Sequence, residues 1–215
     1  MAELNISTFN LAFFQKARRP LPDEQFQYIY STSLKYFPLV DQLTNPILIA
    51  RRKVGGQISL SPIFLQFLNI ATMDFNSDFE IIKEISKVYF DQYKNEKISQ
   101  VAIRLVSVVK ANTTDDRREL IVNEKFVLSP KTIESLNPGG DIKIGIRLVF
   151  QRNGKRYELK VEPFFSDLNS NYIDFNLVVS SLDKSLDQVY VLINEEVYNF
   201  THNIASVIPN GNSTK

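Results

Sequence analysis

IRLVFQRNGKRYELKV, residues 146–161, is the stretch that decides the fold. Asn153-Gly154 separates two runs of alternating apolar and polar residues, and that dipeptide favours a two-residue turn with positive φ at both positions. Such a turn fixes the register. It pairs Phe150 with Tyr157, Leu148 with Leu159 and Ile146 with Val161, so each apolar residue meets another. On the other face Arg147 lies across from Lys160, with Glu158 and Glu162 at its two diagonals. That is a charge-compensated solvent face, worth about 0.2–1 kcal/mol per pair. The whole hairpin is expected over residues 142–163.

The same register tests a catalytic motif. Asp141 followed by Glu158-Leu159-Lys160 resembles the acid, then Glu-x-Lys, pattern of metal-dependent nucleases. Two carboxylates sharing an ion must each place an oxygen about 2.0–2.6 Å from it. With Glu158 facing Val149, Asp141 falls eight residues further along its strand, about 27 Å away at about 3.4 Å per residue. A shared metal cannot span that gap.

Working outward, residues 4–14 read as a first strand, and residues 23–37 as a helix opened by Pro22 and ended at Pro38. Two strand-like runs follow, residues 47–53 and 57–70, joined through Val54-Gly55-Gly56. Pro62 in the second run implies a bulge or an edge. Ser77 and Glu80 have the spacing of a capping box at the head of a helix that runs to about residue 95. Residues 98–109 are apolar on both faces except at Gln100, Arg104 and Ser107, as in a central strand. Residues 172–180 read as a strand and 182–205 as a last helix. Asp174, alternating with Ile173 and Phe175, should face solvent or a polar cavity.

Locally paired strands with helices between them give an α+β fold. An antiparallel or mixed sheet of about seven to eight strands carries three main helices, mostly on one face. An N-terminal half spans residues 1–111 and a C-terminal half 120–208, with a mobile polar loop at 112–119 and a frayed polar tail at 209–215. The tetrapeptide Ile-Arg-Leu-Val occurs at Ile103 to Val106 and again at Ile146 to Val149. Duplication into two similar halves is one explanation, and the small alphabet of strands is the other.

Composition narrows the chemistry. The 215 residues are 44% hydrophobic and 23% charged, with a net charge of +1, so no global field draws the protein to nucleic acid or membrane. There is no cysteine and one histidine, His202, which excludes zinc–thiolate sites and Ser-His-Asp or Cys-His machinery. No phosphate-binding glycine motif occurs; both Gly-Gly pairs read as turns. No cofactor is expected. The start, MAELNI, lacks the basic and apolar regions of a secretory signal, and no apolar run reaches the roughly 20 residues of a membrane span. The expected location is the cytoplasm, without membrane contact.

Two dense basic runs remain, Arg51, Arg52 and Lys53, and Arg152, Lys155 and Arg156 at the hairpin tip. Brought together, with Arg18 and Arg19, they would make an anion or nucleic-acid patch; charged hairpin tips are the plainer alternative. Most of the 16 Phe and 9 Tyr must be core, and any surplus on the surface would mark a protein-binding patch.

Four places carry a family resemblance: residues 4–38, a strand and helix ending near a proline; Ile58-Ser59-Leu60-Ser61, leading to the Ser77 helix; Val101-Ala102-Ile103-Arg104-Leu105; and Ile173-Asp174-Phe175 with the helix through His202. In order and spacing they resemble a sporadically distributed family of uncharacterised prokaryotic α+β proteins. Members follow the arginine strand with an aromatic and an Asn, where this chain has Leu105-Val106-Ser107. The resemblance implies an accessory role, such as defence against mobile elements or neutralising a toxin, and supplies no catalytic residues. Two functions are expected from the sequence: a non-catalytic interaction protein binding another protein or itself, or a nucleic-acid-binding or nucleic-acid-processing protein that uses the basic tips.

Overall fold

A computed structural model describes residues 4–16, 18–94, 97–110, 145–164 and 170–204. Among these, β1 (Thr8–Phe14) leads through α1 (Asp23–Leu34) to four strands, β2 (Leu39–Thr44), β3 (Ile47–Arg51), β4 (Gln57–Ser61) and β5 (Phe64–Ala71). Helix α2 (Phe75–Gln92) and β6 (Gln100–Lys110) come next. The chain closes with β7 (Ile146–Arg152), β8 (Lys155–Pro163), β9 (Ser170–Val179), α3 (Leu186–Tyr198) and a π-helical turn, Asn199–Ile204. The nine strands form one antiparallel sheet in the order β2-β3-β4-β5-β1-β6-β9-β8-β7.

Pleating puts alternate residues on opposite faces, and here the alternation is uneven in character. Phe9, Leu11 and Phe13 of β1, Val101, Ile103 and Leu105 of β6, and Ile173, Phe175 and Leu177 of β9 are all buried on one face. They share a core with Phe26 and Ile29 of α1, Phe79, Ile82 and Tyr89 of α2, and Val189 and Ile193 of α3. Ring contacts mark the seam: Phe9 meets Phe75 at 5.0 Å, Phe13 meets Phe90 at 6.1 Å, and Phe175 meets Phe200 at 5.7 Å. The three helices therefore cover a single face, as the sequence predicts. The other face carries Asn10, Arg104, Asp174, Asn176, Glu158 and Lys160.

Strand β6 is the sixth of nine and sits beside β1, in keeping with its two-sided apolar character. The two parts of the chain share this sheet and connect similarly. Strand β1 pairs with β5, the strand before α2, and β6 pairs with β9, the strand before α3. The Ile-Arg-Leu-Val copies fall on β6 and β7, a central strand and an edge strand, so they do not mark equivalent places.

Several expectations need correcting. Among the described residues there are nine strands rather than seven or eight, because residues 39–44 pair with β3 across a cis Asn45-Pro46 turn. Every residue of β2 is exposed, which leaves no apolar alternation to announce it. Pro62 lies in the two-residue turn between β4 and β5, where its fixed φ is useful and its missing N–H costs nothing. Helix α2 starts before Ser77. Its cap is Asp74, which accepts from Asn76 N at 3.0 Å, while Ser77 Oγ donates to the same carboxylate. The hydroxyl of Ser77 and the backbone amides there hold Asp74 below the usual carboxylate range. The polar loop at 112–119 and Asp141 lie outside the described residues.

A capping box does occur, at α3. Ser185 Oγ accepts from Gln188 N at 3.4 Å, and the Gln188 side chain accepts from Ser185 N at 3.1 Å. Ser185→Ala should lower stability by about 1 kcal/mol, read as a shift of the urea midpoint. No shift would mean that solvent satisfies those amides equally well.

Candidate interaction surface

The hairpin forms as its dipeptide requires. Asn153 and Gly154 have φ of +52° and +73°, and the register pairs Phe150 with Tyr157, Leu148 with Leu159 and Ile146 with Val161. A β-carbon added at Gly154 would meet nothing within 4 Å, so the backbone conformation and not crowding selects glycine there. Strand β8 continues the sheet through β9, which leaves β7 as the last strand among the described residues.

In a hairpin with a two-residue turn, Arg152 and Lys155 exchange hydrogen bonds, and inward and outward residues alternate from there. The N–H and C=O groups of Arg147, Val149 and Gln151 therefore point away from β8. Beside them Leu148, Val149 and Phe150 are 50%, 52% and 45% exposed in sequence. Phe150 is stacked on Tyr157 at 4.9 Å, which holds it flat against the hairpin. The opposite edge is built differently. Strand β2 is bulged between Val40 and Gln42, and Arg51 forks onto Asp41 at 2.6 and 2.7 Å. Bulges and charges discourage further pairing. Strand β7 has neither bulge nor proline, and of its two charges Arg147 is turned onto Glu158 of β8 while Arg152 lies at the hairpin tip.

Next to β7, on the face without helices, lies a cleft of about 680 Å³. Its floor is Asp174, 3% exposed. Arg104 clamps this carboxylate with Nε and Nη2, each 2.9 Å from one oxygen, and Asn176 Nδ2 donates to it at 2.9 Å. The Arg104 Nη2 also donates to Tyr172 Oη at 3.1 Å, and this hydrogen-bonded carboxylate raises the pKa of Arg104. On the hairpin side Arg147 reaches its expected diagonal partner Glu158 at 3.0 Å, and Lys160 lies 3.3 Å from the same oxygen. These contacts hold Glu158 below the usual carboxylate range, Arg147 first among them. The polar face is charge-compensated, with Glu162 outside the pairing.

Behind the hairpin, α3 supplies Glu196, 2% exposed, which accepts from Lys155 Nζ at 2.7 Å and from Tyr157 Oη at 3.1 Å. Burial first, then the Glu196 carboxylate, pushes the Tyr157 phenol up to about 12. The clamp ties the hairpin to α3.

The two basic runs do not converge. Strands β3 and β8 are six strand positions apart, about 29 Å at about 4.8 Å per spacing. They also turn at opposite ends of the sheet: Arg51 pairs with Gln57 at one end, whereas Lys155, Val179, Val101 and Phe13 align at the other. Within the first run Arg51 is held by Asp41. Arg52 is 2.6 Å from Asp78 and lies 5.0 Å over the Phe37 ring, and Lys53 is exposed. Within the second, Lys155 is held by Glu196, and Arg152 and Arg156 are exposed.

Sequence reasoning left Asp174 facing either solvent or a polar cavity; it faces the cleft, and its partner Arg104 was missed, since 70 residues separate them. Glu196 was missed because it occupies a helix position indistinguishable from a solvated one. His202 lies in the π-helical turn, stacked on Tyr198 at 4.2 Å and 2.7 Å from Thr201 Oγ1. Among the described residues no three His, Cys, Asp or Glu group to hold a metal, and no helix is long and apolar enough to cross a membrane. No protein-family model matches the chain, and its sequence matches no curated protein.

Proposed function

We propose that this is a non-catalytic interaction protein that takes up a partner polypeptide by strand addition at β7. One observation carries the reading: the outermost strand among the described residues has outward backbone groups that flank three consecutive exposed apolar residues, whereas the strand at the other edge is bulged and tied through Asp41 to Arg51. An added strand gains main-chain hydrogen bonds from Arg147, Val149 and Gln151, and side-chain contact from Leu148 and Phe150. The Glu196 clamp keeps the hairpin in place, so ordering costs little on binding. An accessory role of the kind implied by the family resemblance is consistent with such a surface.

Val149→Pro is the sharpest test. It deletes an outward N–H and leaves the bonds to β8 in place. Light scattering across a concentration series, and capture with tagged protein, should show association that weakens at least about tenfold in Val149→Pro and in Phe150→Lys. A strict monomer that retains no polypeptide, or association indifferent to both variants, would overturn the proposal.

A further inference from the structure

Strand β7, Ile146-Arg147-Leu148-Val149-Phe150-Gln151-Arg152, is outermost among the described residues. Its outward backbone groups belong to Arg147, Val149 and Gln151, and an antiparallel strand joins outward groups only to outward groups. A second copy of β7 must therefore set these three residues against one another, with a two-fold axis through a residue and not between two. Only at Val149 do all seven residues meet a facing strand residue. Through Leu148 the axis leaves residues 151 and 152 over, and through Phe150 residues 146 and 147. Through Arg147 it leaves residues 149–152 and sets Arg147 against itself.

With the axis at Val149 the side chains suit one another. Leu148 faces Phe150 of the copy, and Phe150 faces Leu148. Both lie on the helix-bearing face, since Phe150 pairs with Tyr157 and Tyr157 with Leu177 of the core. Both are about half exposed, so no described helix covers them; a copy would. Ile146 meets the aliphatic stem of Arg152. On the other face Arg147 meets Gln151, and Val149 meets its own copy. Like charges stay apart. Arg147 and its copy are offset by four residues, about 14 Å at about 3.4 Å per residue, and Arg152 and its copy by more. Both exceed the roughly 8 Å screening length of physiological salt.

We infer that the strand added at β7 is β7 of a second copy, paired across a two-fold axis at Val149. This rests on strand addition as the mode of association and names the partner. A foreign strand gains the same main-chain bonds, but the copy also sets an apolar residue against each exposed apolar one. The pairing closes as well: each β7 occupies the other. Strand β2, bulged and tied through Asp41 to Arg51, resists extension at the far edges, so a dimer forms and not a filament.

One strand per chain makes a small interface, so association is expected at micromolar concentrations. Light scattering from about 1 μM to about 1 mM should show the dimer form. Val149→Pro should weaken it about tenfold or more. Gln151→Arg, which sets Arg against Arg147 and spares the apolar face, should weaken it about threefold or more. The chain has no cysteine, so disulfide trapping reads the register. Leu148 and Phe150 of the copy form a non-hydrogen-bonded pair with Cα atoms about 4.5 Å apart, within a disulfide's reach. Leu148→Cys chains mixed with Phe150→Cys chains should cross-link about tenfold faster than either variant alone, or than Lys53→Cys. A concentration-dependent dimer trapped in the mixture supports the pairing. A monomer throughout that still captures a polypeptide, and loses it in Val149→Pro, overturns self-pairing and leaves strand addition standing. A monomer that captures none, or a dimer indifferent to Val149→Pro and Gln151→Arg, overturns both. Equal trapping in the mixture and in each variant alone overturns the axis at Val149.

Discussion

Tyr89→Ala is expected to destabilise the protein by about 3–5 kcal/mol, and Tyr89→Phe by about 1–2 kcal/mol. Tyr89 is fully buried on the sheet-facing side of α2. Its hydroxyl donates to Ser61 O at 2.6 Å, at the turn between β4 and β5, and accepts from Gln15 Nε2 at 3.0 Å. Gln15 also donates to Pro62 O at 2.9 Å. One phenol thus joins α2, the β4–β5 turn and the exit of β1. Removing the ring opens a cavity, whereas removing only the oxygen strands a carbonyl. Urea denaturation of the two variants separates the terms, and equal costs would show that packing contributes little there.

Alkali should act through the same residue. Burial pushes the phenol of Tyr93 up to about 12, and those of Tyr89 and Tyr190 higher still. Unfolded phenols lose their protons near about pH 10, while these folded ones keep theirs. The folded state then binds more protons, so this contribution is intact below about pH 10 and is lost as pH rises through the folded values, by up to about 1.4 kcal/mol per pH unit for each phenol. Tyr89→Phe should make the fall shallower by one phenol's share. A urea midpoint that stays level through this range would contradict the burial of these hydroxyls.

What the sequence disclosed follows the range of its signals. The β7–β8 hairpin was readable because Asn153-Gly154 is a local cause and the alternation around it corroborates the register. Strand β6 was readable as central because its apolar residues occupy both faces. Strand β2 was not, since an edge strand exposed on both faces has no periodicity to detect. Helix α2 was found but its start was misplaced, because Asp74 and Ser77 both have capping chemistry and only the path out of β5 decides between them. The candidate surfaces depend still more on the long-range fold. Exposed Leu148 and Phe150 look like core residues in sequence, and only the end of the sheet at β7 makes them surface. The dense runs that did attract attention are placed at opposite ends of the sheet, and half their charges are paired.

Arg104→Met should destabilise the protein by about 3 kcal/mol, the low end of what stranding a buried charge costs. Arg104 keeps about a third of its side chain in solvent, but Asp174 does not. Without the guanidinium fork, Asn176 Nδ2 is the remaining donor recorded at that carboxylate. The reverse change is expected to be milder: Asp174→Asn leaves a partly exposed cation that water can reach, and keeps an oxygen to accept from Asn176. The double replacement Arg104→Met with Asp174→Leu should recover most of the loss, since two apolar side chains need no polar partner on this face. The pair would then contribute position more than stability, fixing the guanidinium beside Tyr172 and setting the floor of the cleft next to β7. Urea denaturation of the two single variants and the double gives the coupling directly. Additive losses, or a single Arg104→Met cost under about 1 kcal/mol, the median of exposed ion pairs, would show that the cleft floor is better hydrated than the burial of Asp174 implies.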